Sequence, residues 1–118
     1  MEKKSDTLLL RIFLSSTDKY NKELIYESIV FKAKESGLAG ATVLKGVLGY
    51  GASSVIHSYK FWEVTEKLPV VIEIIDREEK IMSFYESIRT LLESMPYGCL
   101  VVTEKVNILQ YKQGGKRI

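Results

Sequence analysis

Apolar residues run almost unbroken from Thr7 to Leu14, "TLLLRIFL", before the polar stretch "SSTDKYN". A run of that length bounded by turn-forming residues predicts a buried strand. Asn21 then stands where a helix N-cap is expected, ahead of "KELIYESIVFKAKES" and the helix-ending Gly37. Ile25, Ile29 and Ala33 form its apolar stripe, and Phe31 falls nearly opposite Ile29 on the helical wheel. "LAGATVLKGVLGYG" reads as a second strand with a bend at Gly46 and a turn at Gly49 and Gly51. "HSYKFWEV" reads as a strand or hairpin arm, closed by Leu68-Pro69. "VVIEIID" predicts a strand fully buried at its centre, with Asp76 opening a second helix. Ile81, Phe84, Tyr85, Ile88, Leu91, Leu92 and Met95 keep helical spacing for four turns, and Pro96 ends the pattern. "CLVVTEKVNILQY" supplies one long strand or two short ones hinged near Glu104 and Lys105.

This order, β-α-β-loop-β-α-β, predicts an α+β ferredoxin-like fold. Four antiparallel strands would carry both helices on one face, with a long loop between the second and third strands. The strands hold more Val, Ile and Leu than one helical layer can cover. The uncovered face therefore predicts an oligomer built from further copies of the chain.

Composition narrows the functional classes. The chain has 118 residues, enough for one domain, with 1–6 and 113–118 expected as tails. A formal charge of +2 gives no electrostatic reason to expect nucleic acid or a membrane surface. The single cysteine, Cys99, has no intramolecular partner for a disulfide and sits in the apolar "GCLVV", where a small core residue is expected. No apolar run approaches the roughly 20 residues of a membrane span, and no cleavable leader is recognised, so a cytoplasmic protein is expected.

The chemistry-bearing motifs are few. A P-loop is absent, and Gly49-x-Gly51 is followed by Ser54 where the dinucleotide fingerprint requires glycine. One histidine and one cysteine leave little scope for a zinc site; copies of His57 around a symmetry axis are the remaining metal candidate. Ser53, Ser54 and Cys99 lack the context of an activated nucleophile, so no enzyme is expected and no catalytic residue is assigned. The segment Leu44 to Val64 gathers the remaining candidates. Ser53 and Ser54 beside Gly51 either offer donors to a phosphate or carboxylate or simply cap a turn. Tyr50, Tyr59, Phe61 and Trp62 either fold over the sheet or form a recognition surface. In an extended arm, His57, Tyr59 and Phe61 share one face, and Lys60 and Lys45 are the nearest cations.

"GLAGATVLKGVLGYGASS" followed by "LPVVIEIID" resembles the PII-like signal proteins, most closely their domain-of-unknown-function branch, number 190. The resemblance extends over almost the whole chain and is densest from Gly37 to Ser54. It implies a homotrimer in which small effectors bind between subunits and a T-loop signals to a partner, such as a membrane transporter, a channel or another regulated protein. By resemblance, Gly49-Tyr50-Gly51 matches the turn at the base of that loop, and Ala52 to Lys67 the loop itself. Gly98 falls in the family's glycine-rich loop, with Cys99 in place of its phosphate-binding lysine. Gln110 and Lys112 match two arginines near the family's C-terminus. The implied ligand set is Lys45, Gly49, Tyr50, Gly51, Ala52, Ser53, Ser54, Gly98, Gln110 and Lys112. The partner-facing set is His57, Tyr59, Lys60, Phe61 and Trp62. Two cations are lost relative to the family pattern, which favours an adenine nucleotide with fewer phosphates over ATP as the possible effector. The rival readings are a structural trimer without a small-molecule ligand and a metal-responsive trimer similar to copper-tolerance proteins.

Overall fold

The computed structural model describes residues 6–51, 57–58 and 67–115. Its elements in chain order are β1 (Thr7–Ser15), β2 (Lys19–Tyr20), β3 (Glu23–Leu24), α1 (Ile25–Glu35), β4 (Thr42–Lys45), β5 (Leu48–Gly49), β6 (His57–Ser58), β7 (Pro69–Arg77), α2 (Glu78–Ser94) and β8 (Leu100–Lys105). The main sheet has the order β4-β7-β1-β8. All its pairings are antiparallel, with Arg11 opposite Glu73 at the centre and Leu10 opposite Thr103 on the other side. This is the ferredoxin-like arrangement expected from the element order.

Strand alternation divides the sheet into two unequal faces. Leu8, Leu10, Ile12 and Leu14 of β1 join Val70, Ile72 and Ile74 of β7 beneath the helices. Ile25, Ile29 and Ala33 of α1 and Ile81, Phe84, Ile88 and Leu92 of α2 close that core from above. The other face carries Phe13, Leu44, Ile75 and Leu100, all exposed, around the ion pairs of Arg11 with Glu73 and Glu104. Those two carboxylates hold the Arg11 guanidinium's pKa above its ordinary value. The strand "VVIEIID" is therefore buried on one side only. Burial alternates along β7, because a single copy supplies helices to one face.

Two helix starts differ from the sequence expectation. Asn21 does not cap α1: it and Lys22 adopt positive φ, +51° and +67°, in the two-residue turn joining β2 to β3. Asparagine tolerates that left-handed backbone, so its turn chemistry prevails over its capping chemistry. The helix begins four residues later, at Ile25, whose N–H donates to the Asp18 carbonyl (2.9 Å). Asp76 likewise lies within β7. Its carboxylate accepts the N–H groups of Ala39 (2.9 Å) and Arg77 (2.7 Å), and Glu78 N–H at the head of α2 donates to the Asp6 carbonyl (2.9 Å).

Gly37 ends α1 as expected. At φ +80° it lets its own N–H reach the Lys34 carbonyl (3.1 Å) and Leu38 N–H reach that of Ala33 (3.2 Å). This is a Schellman cap, with Leu38 and Ala33 both buried beneath it. Glu78 and Glu79 lie in the first turn of α2, where the helix dipole favours them.

Candidate functional site

The base of the long connection between β4 and β7 is built by close approach. Beyond Lys45 the chain bends at Gly46, whose N–H donates to the Pro69 carbonyl (2.7 Å). A Cβ at Gly46 would lie 2.8 Å from Pro69 Cγ, and one at Gly49 would lie 3.2 Å from the same atom. Glycine is thus required by space at Gly46, with no unusual φ involved. Leu48 and Gly49 then pair with Ser58 and His57 in a short antiparallel ladder. The returning chain is held from the other side, where Ser16 N–H donates to the Leu68 carbonyl (2.8 Å) and Leu68 N–H donates to Ser16 Oγ (3.0 Å). Ser16 and Leu68 are both buried, so this double bond fixes where the chain re-enters the sheet.

Against this base lies a cleft of about 610 Å³. Tyr50 and Gly51 line it from the outgoing strand, Lys67 and Pro69 from the returning one, and Tyr97, Gly98 and Cys99 from the turn after α2. The end of β1 contributes Phe13 to Ser15 and, just beyond, Asp18. Asp18 is only 2% exposed. Its carboxylate accepts Ser15 N–H (3.2 Å). Cys99 departs from expectation: it is exposed on the cleft wall rather than packed in the core. Pro96 and Gly98 interrupt the chain between α2 and β8, and Cys99 precedes the first strand residue, so no alternation turns it inward. Partial burial, and then the nearby Asp18 charge, raise its pKa and keep it a neutral thiol.

Of the predicted ligand residues, Tyr50, Gly51 and Gly98 share this cleft. Gly49 is adjacent, at the end of β5, and Lys45 is exposed at the end of β4, opposite Val70. Gln110 lies elsewhere. It lines a second cleft of about 660 Å³ with Ala39 to Thr42, Glu73 and Tyr111. That cleft also takes in Thr7, at the far end of β1 from the Ser15 of the first. Eight strand steps separate those residues, about 26 Å at ~3.3 Å per residue. Lys112 is exposed two residues beyond Gln110. Ala52, Ser53, Ser54, Tyr59, Lys60, Phe61 and Trp62 lie outside the described residues, and for His57 only the backbone pairing is described. The sequence reading gave Lys67, Asp18, Ser16 and Pro69 no place in a ligand site. Only the Leu68-Pro69 step marked their neighbourhood.

Among the described residues, no group of three or more His, Cys, Asp or Glu could hold a metal ion, and no helix is long and apolar enough to cross a membrane.

The fold is shared with solved PII-like and CutA1 proteins. The protein CPII of Thiomonas intermedia K12, described as a nitrogen regulatory PII-like protein bound to ADP, AMP and bicarbonate, superposes with a TM-score of 0.59 at 18% identity. The match covers 86% of this chain and 88% of that one. The divalent ion tolerance protein CutA1 of Ehrlichia chaffeensis has the same fold, with a TM-score of 0.58 at 14% identity over 92% of this chain and 88% of that one. Within this class the chain belongs to the DUF190 family ("Uncharacterized ACR"), whose model matches residues 7–108. A UPF0166 protein of Aquifex aeolicus (strain VF5) is 44% identical over 81 residues, covering 69% of this chain and 77% of that protein.

Proposed function

We propose that this protein is a non-enzymatic PII-like regulator that works as a homotrimer and binds a small effector between its copies. The carrying observation is the division of the candidate ligand residues. Tyr50, Gly51 and Gly98 line a cleft at one end of β1, and Gln110 lines another at the opposite end. Within one chain the two sets stand too far apart to hold one small molecule. A neighbouring copy seated on the open sheet face would bring its Gln110 and Lys112 toward the first cleft.

Exposed apolar residues favour such a neighbour. Phe13, Leu44, Ile75 and Leu100 stand open on the sheet, and Ile108, Leu109 and Tyr111 stand open on the segment after β8, Leu109 being 98% exposed. Apolar surface on this scale is normally covered by another protein surface.

The effector we favour is an adenine nucleotide with few phosphates. Cys99 stands where the family resemblance places a lysine, and Asp18 adds a negative charge to the wall, so a triphosphate meets little compensating charge. CPII, which shares the fold, has been crystallised with ADP and AMP. Binding at Gly51 and Lys67 occupies both ends of the 52–67 segment. Its readout is the way that segment presents His57, Tyr59, Lys60, Phe61 and Trp62 to a partner protein, with a transporter or channel as one class of target.

Calorimetry of the purified protein against AMP, ADP, ATP, 2-oxoglutarate and bicarbonate tests the effector. The proposal expects saturable heat with AMP or ADP and weaker binding of ATP. Absence of heat with every compound in the series would leave a structural trimer as the better account.

A further inference from the structure

The cleft at the loop base contains a cation that no motif announced. We propose that Lys67 is the anion-recognising residue of this cleft, engaging one phosphate or carboxylate group of the ligand; this rests on the reading of the cleft as an effector site.

Three observations place Lys67 in that role. First, it is the one cationic side chain among the described residues lining the cleft, and among the described residues no carboxylate lies within ion-pair distance of it. The arginines differ in this respect: Arg11, Arg77 and Arg89 each face a glutamate. Lys32 and Lys80 donate to the main-chain carbonyls of Ser87 and Gly37. Half-buried at the cleft wall, Lys67 can turn its ammonium donors toward a ligand.

Second, its backbone position is fixed. Leu68 is tied to Ser16 by two hydrogen bonds, and Pro69 packs against the bare backbone of Gly46. A lysine anchored one residue from such a clamp loses less freedom on binding than one on an open loop.

Third, the described residues of the wall carry one charge of each sign. Lys67 contributes one positive charge and the buried Asp18 one negative charge. A triphosphate would bring three or four negative charges to a wall whose described residues hold one cation, whereas a monophosphate or carboxylate can engage that ammonium alone. Tyr50 and Tyr97 offer exposed ring surface beside it for the flat portion of such a ligand.

The test compares the intact oligomer with its Lys67→Ala and Lys67→Arg variants, titrated calorimetrically with AMP and with adenosine. Lys67→Ala is expected to weaken AMP binding tenfold or more, the loss of one charge-assisted contact. Adenosine binding should remain within twofold, and Lys67→Arg should recover most of the AMP affinity. AMP affinity unchanged in Lys67→Ala, beside a wild-type protein that binds AMP, would overturn the role of Lys67 and leave the effector site standing. A wild-type protein that binds neither AMP nor adenosine would overturn both.

Discussion

Cys99 shows how a single position changes meaning between sequence and structure. Its neighbours "LVV" argue for burial, but Pro96 and Gly98 place it ahead of the strand, on the wall of the cleft. A thiol with a raised pKa is a poor nucleophile at neutral pH, since only the thiolate attacks. The sign follows from which form the site favours. Partial burial and Asp18 both penalise the thiolate, so folding stabilises the neutral thiol below the free-cysteine pKa, and that contribution is lost as pH rises through the folded pKa. Alkylation of Cys99 by iodoacetamide should therefore have a pH midpoint above that of a free cysteine measured in parallel. A midpoint at or below the free value would show that the wall is more polar than described. AMP bound in the cleft should slow the reaction at every pH.

At the scale of elements, the loop base depends on contacts that no local pattern encodes. Gly46 and Gly51 look alike in "KGVLGYG", yet only Gly46 lies against the Pro69 ring. Gly46→Ala should destabilise the protein by about 1–3 kcal/mol through overpacking, read as a lower denaturation midpoint. Among the described residues a Cβ at Gly51 meets nothing within 4 Å, so Gly51→Ala should leave the midpoint unchanged. Equal effects from both substitutions would refute the close-approach account.

The main strands and both helices were legible because their periodicity is tertiary burial written locally: Leu8, Leu10, Ile12 and Leu14 alternate, and Ile81, Phe84, Ile88 and Leu92 repeat helically. The helix starts were not. Asn21 and Asp76 each carry chemistry suited to several roles; the tight β2–β3 turn decided Asn21, and distant partners decided the rest, Asp76 by Ala39 N–H and the α2 head by the Asp6 carbonyl. The candidate site was legible only in part. The glycine-tyrosine turn marked Gly49 to Gly51, whereas Lys67 and Asp18 reach the same cleft through long-range pairing that spacing cannot reveal.

At the scale of the molecule, one face of the sheet remains to be explained. The helices cover the side bearing Ile12 and Ile72. On the other, Phe13, Leu44, Ile75 and Leu100 surround a half-exposed Arg11 held by Glu73 and Glu104. Similar copies meeting on this face would cover the apolar rim and, as proposed, bring the cleft at the Ser15 end of β1 beside a neighbour's cleft at the Thr7 end. On the proposed function, assembly and ligand binding stand or fall together. Native mass spectrometry of the purified protein with AMP tests that claim directly. The account predicts a trimer that takes up as many as three AMP molecules. A monomer under the same conditions, or a trimer that retains no AMP at millimolar concentration, would contradict it.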